Sequence, residues 1–198
     1  MSFVRSSGVL LHPTSFPGRY GVGDLGDAAF RFVDFLYGAG QTLWQVLPLG
    51  PTGYGDSPYQ CFSAFAGNPL LIDPEQLIGD GLLSWDELLG GLPAFPAELI
   101  DYGGVITWKL PLLKATYQRF RDYAGAELEL EFKVFCAEQA DWLDDFALFM
   151  ALKDAHGGAA WNTWELDIRT RQPEAMARWR SALAEAIVIQ KYLQWQFF

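Results

Sequence analysis

The chain has 198 residues, 51% hydrophobic and 19% charged, a balance that can bury a sizeable core and excludes a disordered segment. Its net charge of -10 repels nucleic-acid phosphates and anionic lipid heads while leaving a neutral polyol unopposed. No basic start with an apolar h-region precedes Ser6 and no apolar run approaches the ~18 residues of a membrane span, so a cytoplasmic protein is expected, with neither nucleic acid nor membrane as partner.

Gly8 to His12 is a short apolar run stopped by Pro13, which reads as a buried strand followed by a loop from Thr14 to Gly23. Asp24 then stands where a helix N-cap belongs, with Asp27 as a favourable first-turn charge. Leu25, Ala28, Ala29, Phe32 and Leu36 give one apolar face up to Tyr37, and Gly38 and Gly40 offer the left-handed closure of a helix. Leu43 to Leu47 is a second strand, ended by Pro48. Strand, helix and strand in succession imply a parallel sheet, with both following loops on the ligand-facing side, where they can line one cleft.

His12, at the end of the first strand, is a candidate lining residue, although a histidine beside an apolar run also serves as a satisfied structural group. Gly21, Gly23 and Gly26 have the spacing of a dinucleotide fingerprint. The loop is too long for that tight turn, however, and Asp24 would set a negative charge where a pyrophosphate must sit, so the nucleotide reading is discounted.

From Gly50 to Pro69 the chain is a loop crowded with Gly, Pro, Ser and Asp, in which Tyr54 and Tyr59 stand among groups able to make hydrogen bonds. A pyranose offers C–H faces that stack on tyrosine and hydroxyls that need partners, so this mixture suits a sugar; the same residues also build ordinary rigid loops.

Beyond it, Asp73-Pro74 opens a helix towards Gly79, and Ser84 with Glu87 has capping-box spacing. Gly90 to Pro96 and Asp101 to Gly104 are breaks. From Val105 a helix is expected with Trp108, Leu112, Ala115 and Arg119 along one face and Pro111 in its first turns. A helix over about 128–154 carries Phe132, Phe135, Cys136, Leu143, Phe146, Ala147 and Met150 and ends at His156-Gly157-Gly158. Trp161-Asn162-Thr163-Trp164 is an aromatic loop suited to packing or to a ligand. Pro173 opens a last helix through Trp179, Leu183, Ile187 and Leu193 to Phe198. Cys61 and Cys136 lack the spacing of a metal or redox centre and are read as reduced, with no metal and no cofactor expected.

The segment LPLGPTGYGDSPYQCFSAFAGN closely resembles the stretch after the second barrel strand of 4-α-glucanotransferases (amylomaltases, or disproportionating enzymes) of the α-amylase clan. SGVLLHPTSFPGRYGVGDLG, DDFALFMALKDAHGG and WNTWE extend the resemblance over essentially the whole chain. It implies an α/β fold, the N-terminal part of a (β/α)8 TIM barrel with about two barrel strands and a helical insertion subdomain. On that reading residues 1–70 are the first strands and loops, 71–171 the insertion, and 172–198 a helix returning to the barrel.

The activity implied is retaining transfer of an α-1,4-glucan segment to the 4-hydroxyl of an acceptor, with maltooligosaccharides or α-1,4-glucans as partners. The family carries its catalytic carboxylates on strands beyond residue 198, so none is assigned here, and the remainder of the barrel C-terminal to Phe198 is an implied partner. A non-catalytic glucan-binding fragment is the alternative. Tyr59 matches the tyrosine that stacks under the sugar next to the cleaved bond, Ser57 a polar contact in the same cleft, and Tyr54 an aromatic of a second glucan-contact site. Ile106 stands where relatives can carry the partnering tyrosine of that second site and offers no flat face. Asp56 is the one acid of the proposed cleft. A single carboxylate cannot both attack and protonate, so a loop-ordering role is expected. A sheet missing most of its strands is expected to leave the isolated chain associating, aggregating or partly unfolded.

Overall fold

A computed structural model describes residues 5–198, with the backbone alone at Tyr54; the reading of the first residues as free of a leader lies largely outside that range. Two strands, β1 (Gly8–Leu10) and β2 (Leu43–Gln45), pair in parallel with Val9 opposite Trp44. Both are shorter than their apolar runs. After the Leu11 N–H reaches the Gln45 carbonyl (3.0 Å), Pro13 starts a 3-10 turn over Pro13–Ser15 and the ladder stops.

Helix α1 (Asp27–Gly38) makes the crossover that consecutive parallel strands require. Its Phe32 meets Trp44 of β2 (5.4 Å between centroids) and Phe16 of the first loop (5.3 Å), and Ala29 and Leu36 of the same helix are buried. The Trp44 indole N–H is satisfied by the Leu11 carbonyl at 2.8 Å. Phe30 and Tyr37 of α1 are exposed, as is Phe35, which stacks on Phe32 at 6.2 Å between centroids.

Asp24 does not cap α1. Gly26 holds the N-cap position, and the Asp24 carboxylate accepts from the Gly26 N–H (3.2 Å) while facing a buried lysine, Lys109. Leu25 accordingly lies outside the helix, its N–H donating to the Leu71 carbonyl at 3.0 Å.

Helices α2 (Pro74–Gly79) and α3 (Trp85–Gly90) start at the expected caps. Asp73 accepts from the Glu75 N–H (2.9 Å), and Ser84 and Glu87 cap one another's backbone. Helix α4 (Tyr102–Tyr123) begins three residues before Val105, because Asp101 accepts from the Gly104 N–H at 3.0 Å. Pro111 is therefore mid-helix rather than in the first turns, where it withholds the donor that the Thr107 carbonyl would otherwise take.

The buried face of α4 is Val105, Lys109, Leu113, Thr116, Tyr117 and Phe120, not the expected Trp108, Leu112, Ala115 and Arg119. A lysine does not register in an apolar pattern, yet Lys109 is fully buried. Its ammonium donates to the Leu70 carbonyl at 2.8 Å and lies 3.5 Å from Asp24, so three separate segments converge on one charge. Burial pushes Lys109 down and Asp24 up, the latter opposed chiefly by the facing ammonium.

The described residues form two compact units, 5–124 with Phe197 and 125–196 with Phe198, and α2, α3 and α4 fall in the same unit as the strands. In the second unit, α5 (Ala126–Glu138) and α6 (Ala140–Ala155) replace the single helix expected over 128–154; the break is at Gln139, whose side chain accepts from the Trp142 indole N–H at 2.8 Å. After α7 (Leu166–Arg169), the last expected helix is likewise two, α8 (Pro173–Ala182) and α9 (Ala184–Phe197), broken at Leu183 (φ -109°).

Leu148, Leu152, Trp164, Ile168, Ala175 and Met176 form the core of this unit. His156 closes it. Its Nδ1 lies 2.7 Å from the Leu152 carbonyl and its Nε2 2.8 Å from Glu165, two acceptors that suit an imidazolium, and its ring stacks on Trp164 at 4.8 Å. Among the described residues no helix is long and apolar enough to cross a membrane.

The other histidine sits in the first unit and has the opposite setting. His12 Nδ1 accepts from the Thr14 N–H (3.3 Å) and lies 2.8 Å from the Thr14 hydroxyl, which leaves Nε2 to donate to the Pro48 carbonyl at 3.4 Å. A neutral ring satisfies both contacts and joins the ends of the two strands.

Two tests follow from these buried charges. Lys109→Ala leaves Asp24 and the Leu70 carbonyl without their partner and should lower the unfolding free energy in urea by about 3–5 kcal/mol, whereas Lys109→Met with Asp24→Leu should recover most of that loss. The histidines titrate in opposite directions: burial lowers His12, and the Glu165 hydrogen bond raises His156. Imidazole proton resonances should give one midpoint below and one above 6.5, the upper one moving down in Glu165→Gln. The stability carried by His156 is present below that value and lost as pH rises through its folded pKa. That carried by His12 is lost as pH falls below it.

Candidate functional site

The loop after β2 is built as a closed stem with a tip. Its ends are tied by the Asn68 N–H to the Leu49 carbonyl (2.8 Å), and Asn68, itself buried, caps the 3-10 turn Pro69–Leu71 by accepting from the Leu70 N–H at 3.0 Å. Inside this closure the Gly53 N–H reaches the Gln60 carbonyl (2.9 Å) and the Phe62 N–H the Pro51 carbonyl (3.1 Å), flanking an antiparallel bridge between Thr52 and Cys61. Cys61, a free cysteine, donates its thiol to the Pro58 carbonyl.

The tip holds the residues singled out in the sequence. Tyr54–Asp56 is a 3-10 turn with Gly55 at φ 69° and Asp56 at φ 54°, a left-handed pair that Gly and Asp tolerate. A second turn follows, closed by the Gln60 N–H to the Ser57 carbonyl (3.0 Å), with the Ser57 hydroxyl accepting from the Tyr59 N–H at 3.4 Å. Tyr59 is 72% exposed, its ring presented to solvent from a hydrogen-bonded support. The side chain of Tyr54 lies outside the described residues, and Ile106 presents a partly exposed aliphatic side chain.

The loop after β1 is held differently. Tyr20 is buried, donates to Glu75 at 2.8 Å, accepts from the Arg19 Nε–H at 2.8 Å and stacks on Trp108 at 6.0 Å; burial and the Glu75 hydrogen bond drive its phenol well above the ordinary tyrosine value. The three glycines of the fingerprint-like run are spent on packing. A Cβ at Gly21 (φ 79°) would meet the Phe95 ring at 2.5 Å, one at Gly23 the Pro13 carbonyl at 2.2 Å, and one at Gly26 the Asp73 carboxylate at 2.5 Å. Between this loop and residues 96–102 lies a cavity of about 670 Å³ lined by Thr14, Ser15, Gly23, Glu98 and Tyr102 among others. Tyr59 is not among its lining residues, and the two loops after the strands are joined instead through the His12 to Pro48 hydrogen bond.

Three features escaped the sequence reading. The breaks around Gly90–Pro96 and Asp101 gave no sign that they would wall a cavity. Lys109 was hidden by its charge. Of the two tryptophans of the aromatic loop, Trp164 is core, 7% exposed, while Trp161 is 55% exposed, a difference that the spacing alone does not encode.

Comparison with known proteins accounts for this arrangement. The family model for 4-α-glucanotransferase matches residues 11–198. The 4-α-glucanotransferase of Thermus thermophilus is 50% identical over the whole chain, and that of Synechocystis sp. 48% identical over 98% of it. The chain spans 39% and 38% of the lengths of these two relatives. The amylomaltase from Streptococcus agalactiae, solved in complex with acarbose, superposes with a TM-score of 0.92 at 39% identity over 98% of this chain and 39% of that one. The amylomaltase from Corynebacterium glutamicum shares the fold, with a TM-score of 0.73 at 21% identity over 96% of this chain and 26% of its own. The two-stranded parallel sheet with its helices is thus the N-terminal part of the amylomaltase barrel with its helical insertion. On the match to residues 11–198 and the identity to these relatives, the chain belongs to the 4-α-glucanotransferase family.

Proposed function

We propose that this chain supplies the substrate-holding loops of a cytoplasmic enzyme that moves a segment of an α-1,4-glucan to the 4-hydroxyl of an acceptor glucan or glucose. The observation that carries this reading is the Tyr59 ring, 72% exposed on a tip whose backbone is closed by hydrogen bonds on both sides. A flat aromatic face held before binding costs a sugar little ordering entropy, and the Ser57 hydroxyl beside it supplies a polar partner for a sugar hydroxyl. Tyr54 on the same tip is assigned to a second glucan contact, Asp56 to shaping the tip, and His12 to bracing the strand ends under it.

Retaining transfer needs a nucleophilic carboxylate and an acid/base carboxylate about 5 Å apart across the scissile bond. We assign both to the barrel strands that follow residue 198 in the family, so this chain binds substrate and does not turn it over. The same remainder of the barrel would cover the apolar residues exposed on β1, β2 and α1, among them Leu10, Leu43, Phe30 and Phe35. A glucan-binding piece without catalysis is the second reading, favoured by the same tip.

Incubation of the chain with maltotriose should yield neither glucose nor longer maltodextrins; turnover would overthrow the assignment of the catalytic acids elsewhere. In a protein carrying the complete barrel, Tyr59→Ala should lower the transfer rate about tenfold or more with unchanged far-UV circular dichroism, the loss of one stacking face. Sedimentation of the isolated chain should show self-association that grows with concentration, and a single monomeric species would contradict the assignment of its exposed apolar face.

A further inference from the structure

The second unit contains a cavity of about 390 Å³, within the size range of small-ligand sites, and it lies apart in sequence from the Tyr59 loop. Its walls are Trp161, Trp164 and Phe149, and its rim carries Arg169, Arg171 and Asp145. Trp164 is locked in the core, stacked on His156 (4.8 Å) and against Phe149 (5.7 Å), and so gives a fixed aromatic wall. Trp161 stands at the other end of the same 3-10 turn, Trp161–Thr163, with more than half of its surface open.

The polar rim is ordered as well. Arg171 holds Asp145 through both carboxylate oxygens at 2.9 Å from a backbone in the left-handed region (φ 55°), and Arg169 donates to the Asn162 carbonyl at 2.8 Å. Asp145 is paired with Arg171 and lies 3.8 Å from Arg180, and it is the aromatic and aliphatic walls, rather than the charge of the rim, that favour a ligand with a flat C–H face. Each guanidinium has five N–H donors, more than these bonds take, so the rim still has donors to offer.

We propose that this cavity is a further glucan-binding site, additional to the contacts assigned to Tyr59 and Tyr54, in which a glucosyl unit stacks on Trp161 and directs its hydroxyls to Arg169, Arg171 and Asp145. The inference rests on the glucan reading of the Tyr59 loop for the identity of the ligand, and on its own geometry for the existence of the site. A long glucan then has a hold on this chain independent of the tip.

Affinity electrophoresis of the dilute chain through native gels containing soluble amylose measures this directly, with far-UV circular dichroism as the check on folding. Trp161→Ala should weaken binding about tenfold, the loss of one stacking face, and Trp161→Phe, which keeps a ring, should restore most of it. Because Trp161 is 55% exposed, its truncation removes little packing. Tyr59→Ala combined with Trp161→Ala should be weaker than either alone. Wild-type retardation of Trp161→Ala together with weakened Tyr59→Ala overturns the cavity assignment alone. Wild-type retardation of both single variants and of the double variant overturns the glucan reading together with it.

Discussion

The first unit depends on one buried ammonium. Lys109 reaches from α4 to the Leu70 carbonyl, just past the closure of the β2 loop, and to Asp24, at the end of the β1 loop. These two segments lie far apart in sequence and meet directly in one backbone hydrogen bond, from the Leu25 N–H to the Leu71 carbonyl at 3.0 Å, to which Lys109 adds its two contacts. Sheet pairing amounts to three residues on each strand, too few to set the loops by themselves. A charge taken wholly out of water must find acceptors, and these must come to it. The cost of desolvating the lysine is therefore converted into positional definition of both loops.

Around that anchor, the two loops are stabilised by different means, and the difference bears on what each can do. The first is pinned outward to α2 and α4 through Tyr20, Glu75 and Trp108, so its aromatic residue is consumed by packing. The second is closed on itself, with Leu49 bonded to Asn68 and Gly53 to Gln60, while the Ser57 hydroxyl and the Cys61 thiol bond within the loop and the Tyr59 ring stays exposed. Tyr59 is thereby released to solvent. A loop closed through its backbone fixes where the Tyr59 ring is attached and leaves the face of that ring open for stacking.

Where the sequence was readable, the signal was local. Asp73 before Pro74, and Ser84 three residues before Glu87, place helix starts because capping satisfies backbone donors within one turn. The parallel pairing of β1 and β2 followed from the crossover helix between them. Failures came where a distant partner decided. Asp24 had the form of a cap, but Lys109, 85 positions away, claimed its carboxylate and left Gly26 to begin α1. The buried face of α4 departs from the apolar pattern for the same reason, since a buried lysine contradicts any apolar periodicity. The breaks at Gln139 and Leu183 leave no mark in the apolar pattern of the C-terminal helices because they involve no Gly or Pro. In the candidate site, the sequence shows Tyr59, Ser57 and Asp56 on one loop; the left-handed backbone of Asp56 (φ 54°) is not legible there, because φ is not written in composition.

The pair of tryptophans in the second unit shows how a short helical turn separates two identical side chains into different roles. Trp161 and Trp164 are three residues apart, which in a 3-10 turn would set them one above the other, both inward or both outward. The turn ends at Thr163, however, and Trp164 adopts an extended backbone (φ -70°, ψ 172°) that swings its ring into the core, where its indole N–H lies 3.2 Å from the Ala159 carbonyl. His156 stacks on that ring and is itself held by Leu152 and Glu165, so the inward tryptophan has no freedom to exchange places with its neighbour. The outward ring of Trp161 is the residue left over once the core is full. One short turn thus puts a buried ring and an open ring on the lining of the same cavity, the first fixed by the core and the second left to solvent.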